Sequence, residues 1–140
     1  MSITSMKIIL ALLILNTSSG LRAQDKTSKC AAAFIDNQIL VDEYTTEGQC
    51  IIDHDARGIF AIQTVQITAD QCQPTGKIKF YIAIRKSKTN TLLLYTDEPL
   101  TEVPIESILS KCHHGDSLLV IVTDNHIALP HHEILIQYAQ

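Results

Sequence analysis

From Ala31 onward, apolar and β-branched residues fall in short runs separated by turn-forming residues at intervals of roughly 8–12, the pattern of an all-β sandwich or barrel. Ala31 to Ile35 and Ile39 to Tyr44 flank the turn pair Asp36-Asn37. Glu47-Gly48 leads into Cys50 to Ile52, and the polar stretch Asp53 to Gly58 separates that piece from Ile59 to Ile67. In this run Phe60 and Ile62 share one phase, while Val65 and Ile67 share the other. A mid-strand bulge reconciles the two, because one inserted residue flips the alternation.

The clearest strand is Lys77 to Arg85, with Ile78, Phe80, Ile82 and Ile84 on one side and Lys77, Lys79, Tyr81, Ala83 and Arg85 on the other. It predicts one strand with a buried face and a wet face. Lys86 to Asn90 makes the next turn, Thr91 to Tyr95 a strand, and Thr96 to Pro99 another turn. Ile105, Ile108, Leu109 and Cys112 then fall at i, i+3, i+4 and i+7, one face of a helix over 104–112 that turns Cys112 inward. Pro104 suits its first turn, and Gly115 lies just past its end. Leu118 to Val122 follows as a continuous apolar strand, Thr123 to His126 as a turn, and Ile127 to Leu129 and Ile134 to Tyr138 as the last strands. The expected architecture is a single antiparallel β-sandwich of seven to nine strands with one short helix.

The first residues differ in character. Lys7 precedes an apolar run of eight, Ile8 to Leu15, and a small and polar stretch ending at Ala23, the organisation of a secretion signal over 1–23. Eight residues are too few for a spanning helix, which needs about twenty, so no membrane span is expected in the mature chain. No cysteine follows the run where a lipid anchor would attach. Residues 24–29 read as a disordered start and 30–140 as the domain. The expected location is the periplasm or the extracellular space. Losing Lys7 and Arg22 with the leader takes the net charge from −4 to −6. That sign disfavours nucleic acid, which calls for a basic footprint.

Export changes the reading of Cys30, Cys50, Cys72 and Cys112: all four become disulfide candidates, with three pairings open. Histidines supply the other candidate chemistry. His113 and His114 close the helix, His126 sits in a turn, and His131 and His132 precede Glu133. If the strands flanking Thr123 to His126 pair with each other, one histidine from each pair plus Glu133 or Asp116 could hold zinc or copper. The Asp53-His54-Asp55 triplet lacks the further oxygen ligands that calcium needs. Arg57 in the same loop is the one residue suited to a protease-inhibitor role.

No GxSxG elbow, HExxH, P-loop or GxGxxG is present. The adjacent Cys112-His113 lacks any flanking motif of a thiol enzyme. The chain therefore reads as a non-enzymatic interaction or structural module that needs no cofactor, with a metal-binding protein as the alternative. Lys77, Lys79 and Arg85, with Tyr81 at their centre and Lys86 and Lys88 beyond, form a basic stripe that suits an envelope protein or glycan partner and also keeps an exposed strand solvated.

Between Ala61 and Gln137 the order of features, above all Ile108-Leu109-x-Lys111-x-x-x-Gly115-Asp116 before an apolar strand, resembles the β-sandwich domains at the periplasmic end of the shaft protein of the Bacteroidetes gliding and type IX secretion machinery. The resemblance implies an immunoglobulin-like sandwich in a bacterial envelope. This chain departs from that family in its single domain, its lack of a membrane anchor and its four cysteines, so a motor or secretion role does not carry over.

Overall fold

The computed structural model describes residues 29–69 and 71–138. The expected leader and residues 24–28 lie outside the described residues. Lys29, expected in a disordered start, instead opens the first strand, because Ile127 offers it a parallel partner.

The described residues form an all-β, sandwich-like fold. The strands are β1 (Lys29–Ile35), β2 (Gln38–Ile39), β3 (Cys50–Asp53), β4 (Ile59–Ile67), β5 (Cys72–Ile78), β6 (Phe80–Lys86), β7 (Thr91–Leu94), β8 (Val103–Pro104), β9 (Ser117–Val122), β10 (Ile127–Ala128) and β11 (Glu133–Gln137), with one helix, α1 (Ile105–Leu109), between β8 and β9. Eight strands have four residues or more, within the expected seven to nine, and β2, β8 and β10 are two-residue pieces. One sheet runs β10-β1-β4-β5, with β2 on β1 and β8 on β4; the other runs β3-β11-β9-β6-β7. Pairing is antiparallel except at β1–β10 and β11–β3.

Local chemistry explains the connections. Asp36 and Asn37 both have positive φ, 48° and 64°, so they close β1 onto β2 as a two-residue turn matched to strand twist. Pro104 caps α1 in an extended conformation, and the helix stops at Leu109, short of the expected 112, yet Ile105, Ile108, Leu109 and Cys112 are all buried as their spacing predicts. Gly115 follows at φ +91°, a conformation that suits glycine. The β4–β5 register shifts between Thr64 and Val65, where a bulge was expected. The surplus residue is Thr75, since Thr64 pairs Gly76 and Val65 pairs Pro74, so the bulge belongs to the partner strand.

Lys77 to Arg85 is not one strand. It breaks at Lys79, where the chain leaves the first sheet as β5 and enters the second as β6. A corner that passes from sheet to sheet can keep the inward phase on both sides of the break, so Ile78, Phe80, Ile82 and Ile84 all point to the core. Ile39 to Tyr44 is also not a strand beyond Ile39. Val41 makes a single bridge to Cys50, and the segment then folds on itself through Asp42 N–H to the Gln49 carbonyl (3.1 Å) and Gly48 N–H to the Thr45 carbonyl (3.2 Å).

The core lies between the sheets. Phe60 of β4 and Phe80 of β6 meet edge to face across it, with ring centroids 5.7 Å apart. Ile62, Ile82, Leu118, Ile134 and Ile136 fill the space around them and are fully buried.

Candidate functional site

Strands apolar on both faces signal a second covered surface. In the second sheet, Phe80, Ile82, Ile84, Leu118, Val120, Ile134 and Ile136 take the inner positions, and the register leaves Ile51, Leu135, Leu119, Ala83, Leu92, Leu94, Ile121 and Tyr81 outside. Of these, Ile51, Leu92, Leu94, Ile121 and Leu135 are each 41–56% exposed. Exposed aliphatic residues thus recur across the outer face on both sides of Ser117, Arg85 and Glu133, and clustered surface aliphatics of this kind mark interaction sites.

A cleft of about 580 Å³ opens over the β3, β11, β9 and β6 part of this face. Ile51, Leu135, Ser117 and Arg85 form one row of its floor, directly opposite one another across four strands, with Glu133 beside them. Arg85 Nη1 donates to Glu133 Oε1 at 2.9 Å, and Ser117 Oγ donates to the same oxygen at 2.9 Å. Among the described residues Glu133 Oε2 has no hydrogen-bond donor, so the carboxylate keeps one acceptor for a ligand. The floor is thus an aliphatic strip ending in a guanidinium–carboxylate–hydroxyl cluster.

The walls are the 46–49 segment and Pro130 to His132. His131 ties them together: its Nε2 lies 2.6 Å from the Thr45 carbonyl oxygen, and its ring meets Tyr44 edge-on at 5.3 Å. A carbonyl can only accept, so Nε2 carries the proton. Nδ1, on the other side of the ring, is buried without a partner among the described residues. Tyr44 donates its hydroxyl to the Ala31 carbonyl at 3.0 Å. Burial first, and then the nearby Cys30 and Cys72 thiols, push the phenol up to about 12.

Gly48 sets the close approach of the wall. A Cβ there would collide with the Glu43 carbonyl oxygen and sit 2.9 Å from Val41 Cγ2. Gly48→Ala is therefore expected to displace the segment and cost about 1–3 kcal/mol, the range for overpacking. Urea unfolding checks the cost. A variant as stable as the parent would show that the wall is free to shift.

The structure separates most of the residues singled out from sequence. The histidines do not converge, and no three His, Cys, Asp or Glu side chains among the described residues could hold one ion. The condition for convergence fails, because β10 pairs with β1 in the other sheet rather than with β9. His113 is fixed through its backbone to Asp116, His114 stacks on Tyr138 at 5.3 Å, and His126 sits in a turn held by Asp124. His131 and His132 both wall the cleft, and the His132 carbonyl accepts from Val120 N–H at 2.8 Å. His54 is anchored to the Cys112 carbonyl at 2.8 Å.

The basic stripe is also divided. Lys77 pairs with Glu102 on the first sheet, Lys79 occupies the corner, and Tyr81 and Arg85 lie on the outer face of the second sheet. Of the stripe only Arg85 enters the cleft. Ser117, Ile51 and Leu135 were not singled out from sequence. The signal that finds Ser117 and Leu135 is the pair of strands SLLVIV and EILIQ, each with apolar residues on both phases, and for Ile51 it is the adjacent apolar pair in CIID.

All four cysteines are unbonded thiols. Cys30 on β1 and Cys72 on β5 stand on opposite sides of β4, two strand spacings or about 10 Å apart. That exceeds the Cα reach of about 7 Å for a bridge. Burial pushes the Cys50 and Cys112 thiols up to about 11. A thiol reagent at pH 8 is expected to label exposed Cys30 first and to reach Cys50 and Cys112 only on unfolding, read by mass spectrometry. Thiols that stay unlabelled in unfolded, unreduced protein would show bridges instead.

No family model, no curated protein and no solved structure matches the chain. No helix among the described residues is long and apolar enough to cross a membrane.

Proposed function

We propose that this protein is an exported, non-enzymatic interaction module of a bacterial cell envelope, and that the cleft on the outer face of its second sheet is where a partner docks. One observation carries the reading: the aliphatic row of Ile51 and Leu135 ends in the Arg85–Glu133–Ser117 cluster within a concave surface. An apolar strip with a few convergent polar groups suits an extended segment of a protein, with an aliphatic side chain over Leu135 and a polar group at Glu133 Oε2 and Arg85. The resemblance over residues 61–137 and the leader-like start support the envelope location.

The cluster is poorly suited to catalysis. Ser117 donates to a carboxylate already paired with Arg85, and no histidine stands as base to that hydroxyl among the described hydrogen bonds.

A displayed library of extended peptides, selected on the purified protein, tests the proposal. Selected peptides are expected to lose roughly tenfold or more in affinity against Leu135→Lys, since an anchor pocket is worth at least about 1.4 kcal/mol. Binding unchanged by Leu135→Lys and Arg85→Ala would remove the cleft as the docking site. Turnover in a broad hydrolase screen, abolished by Ser117→Ala, would replace the reading with an enzyme.

A further inference from the structure

The β7 edge presents a second surface, at the far side of the sheet from β3. Its four residues, Thr91-Leu92-Leu93-Leu94, are all exposed and uncharged, and no strand among the described residues pairs with it on the side away from β6. Natural sheet edges are normally blunted by charge, proline or a covering element, and β7 has none of these within it.

The hydrogen-bond phase shows which backbone groups are free. Tyr95 N–H donates to the Ile82 carbonyl at 2.8 Å, so Ile82 and Tyr95 form a bonded pair, and alternation makes Ile84–Leu93 and Lys86–Thr91 bonded as well. Leu92 and Leu94 therefore turn their N–H and C=O groups away from β6.

We propose that the partner of this edge is a second copy of the same chain, joined by antiparallel pairing of β7 with β7 about a two-fold axis through Leu93. In that register Leu92 of each copy faces Leu94 of the other. The free groups of both residues then exchange bonds, and aliphatic side chains meet aliphatic ones on each face.

The flanks of β7 supply charge complementarity. Lys88 lies in the loop before it, Asp97 and Glu98 follow it, all three are exposed, and none takes part in an ion pair among the described residues. An antiparallel mate brings each Lys88 beside the Asp97 and Glu98 of the other copy, whereas a parallel mate would set like charges together. An isologous contact closes on itself. The product is one continuous ten-stranded sheet that carries both outer clefts on the same side, which goes beyond the docking role proposed above and does not depend on it.

The contact is smaller than the standard interface of about 800 Å² per partner, so a dissociation constant in the micromolar range is expected. Sedimentation velocity of the purified protein from about 1 to about 300 μM is expected to show a monomer giving way to a discrete dimer. Leu93→Lys is expected to leave monomer at every concentration with an unchanged circular dichroism spectrum. Lys88→Glu is expected to weaken the dimer roughly tenfold through two symmetric contacts, and adding Asp97→Lys and Glu98→Lys to the same chain to restore it. Should Leu93→Lys misfold, this charge exchange on the loops still decides the matter. A monomer throughout the range, open-ended growth, or a dimer indifferent to both the Leu93 change and the charge exchange would overturn the proposal.

Discussion

Phe80→Ala is expected to remove about 3–5 kcal/mol of folding stability, the range for deleting a buried aromatic ring. The ring is wholly buried, it meets Phe60 edge to face, and it stands where the chain passes from the first sheet to the second. Its backbone is held on two sides. Phe80 N–H donates to the Leu100 carbonyl at 2.9 Å, Leu100 N–H donates back at 2.8 Å, and Val122 pairs with it across β9. A backbone fixed this firmly cannot collapse into the space that the ring leaves, which places the cost towards the upper end. Total stabilities of small domains are about 5–15 kcal/mol, so the variant keeps only part of the parent's margin.

Urea unfolding should show a lower midpoint with an unchanged slope, and Phe80→Leu should recover much of the loss. Tyr81→Ala, one residue along on the outer face, is expected to cost far less, because it leaves no cavity in the core. Equal losses at Phe80 and Tyr81 would mean that the two faces of β6 have been assigned the wrong way round.

That contrast also marks what the sequence reveals. Period-two alternation identified the inner residues of β6 directly, and the i, i+3, i+4 spacing identified those of α1, with the i+7 residue Cys112 buried in the turn beyond it. The corner at Lys79 left no trace, since Ile78 and Phe80 stay in phase while the backbone changes sheets, and alternation reports only the side of a residue within its own sheet. For the same reason Lys77 and Arg85 read as neighbours on one stripe, although one pairs with Glu102 on the first sheet and the other with Glu133 on the second. The 42–48 segment read as the end of a strand and a turn because its actual shape depends on the approach of Gly48 to the Glu43 carbonyl, a contact that no local pattern encodes. The cleft was half legible. A continuous apolar run such as SLLVIV announces two faces to cover, but which strands flank it, and hence that Arg85, Ser117 and Glu133 meet, follows from a strand order set by long-range pairing.

Asp116→Asn is the second large effect. Asp116 is almost fully buried at the turn between α1 and β9, and its carboxylate ties that turn to the end of β6 through three donors. Oδ1 accepts from Ser87 N–H at 2.9 Å, while Oδ2 accepts from His113 N–H at 2.9 Å and from Lys86 Nζ at 3.3 Å. An amide of the same shape can satisfy only one of the two backbone donors. Its NH₂ then points at the other donor and leaves the Lys86 ammonium without its anion, so a loss of about 2–4 kcal/mol is expected.

Acid titration reports on the same site. Burial alone would raise the Asp116 pKa, but the Ser87 and His113 N–H groups and the Lys86 ammonium outweigh it and hold the group below its ordinary value of 3.8. A carboxyl more acidic in the folded state stabilises that state fully above the unfolded value, and the contribution disappears as the pH falls through the folded one. Unfolding free energies measured from pH 7 down to pH 2 should therefore fall less steeply below about pH 4 in Asp116→Asn than in the parent, the two curves converging at the acid end. Other carboxylates titrate in the same window, but they do so in both proteins and cancel in the difference. A gap between the curves that stayed constant to pH 2 would show that the loss at Asp116 comes from packing rather than charge, and that the turn joining α1 to β9 does not need an anion at its centre.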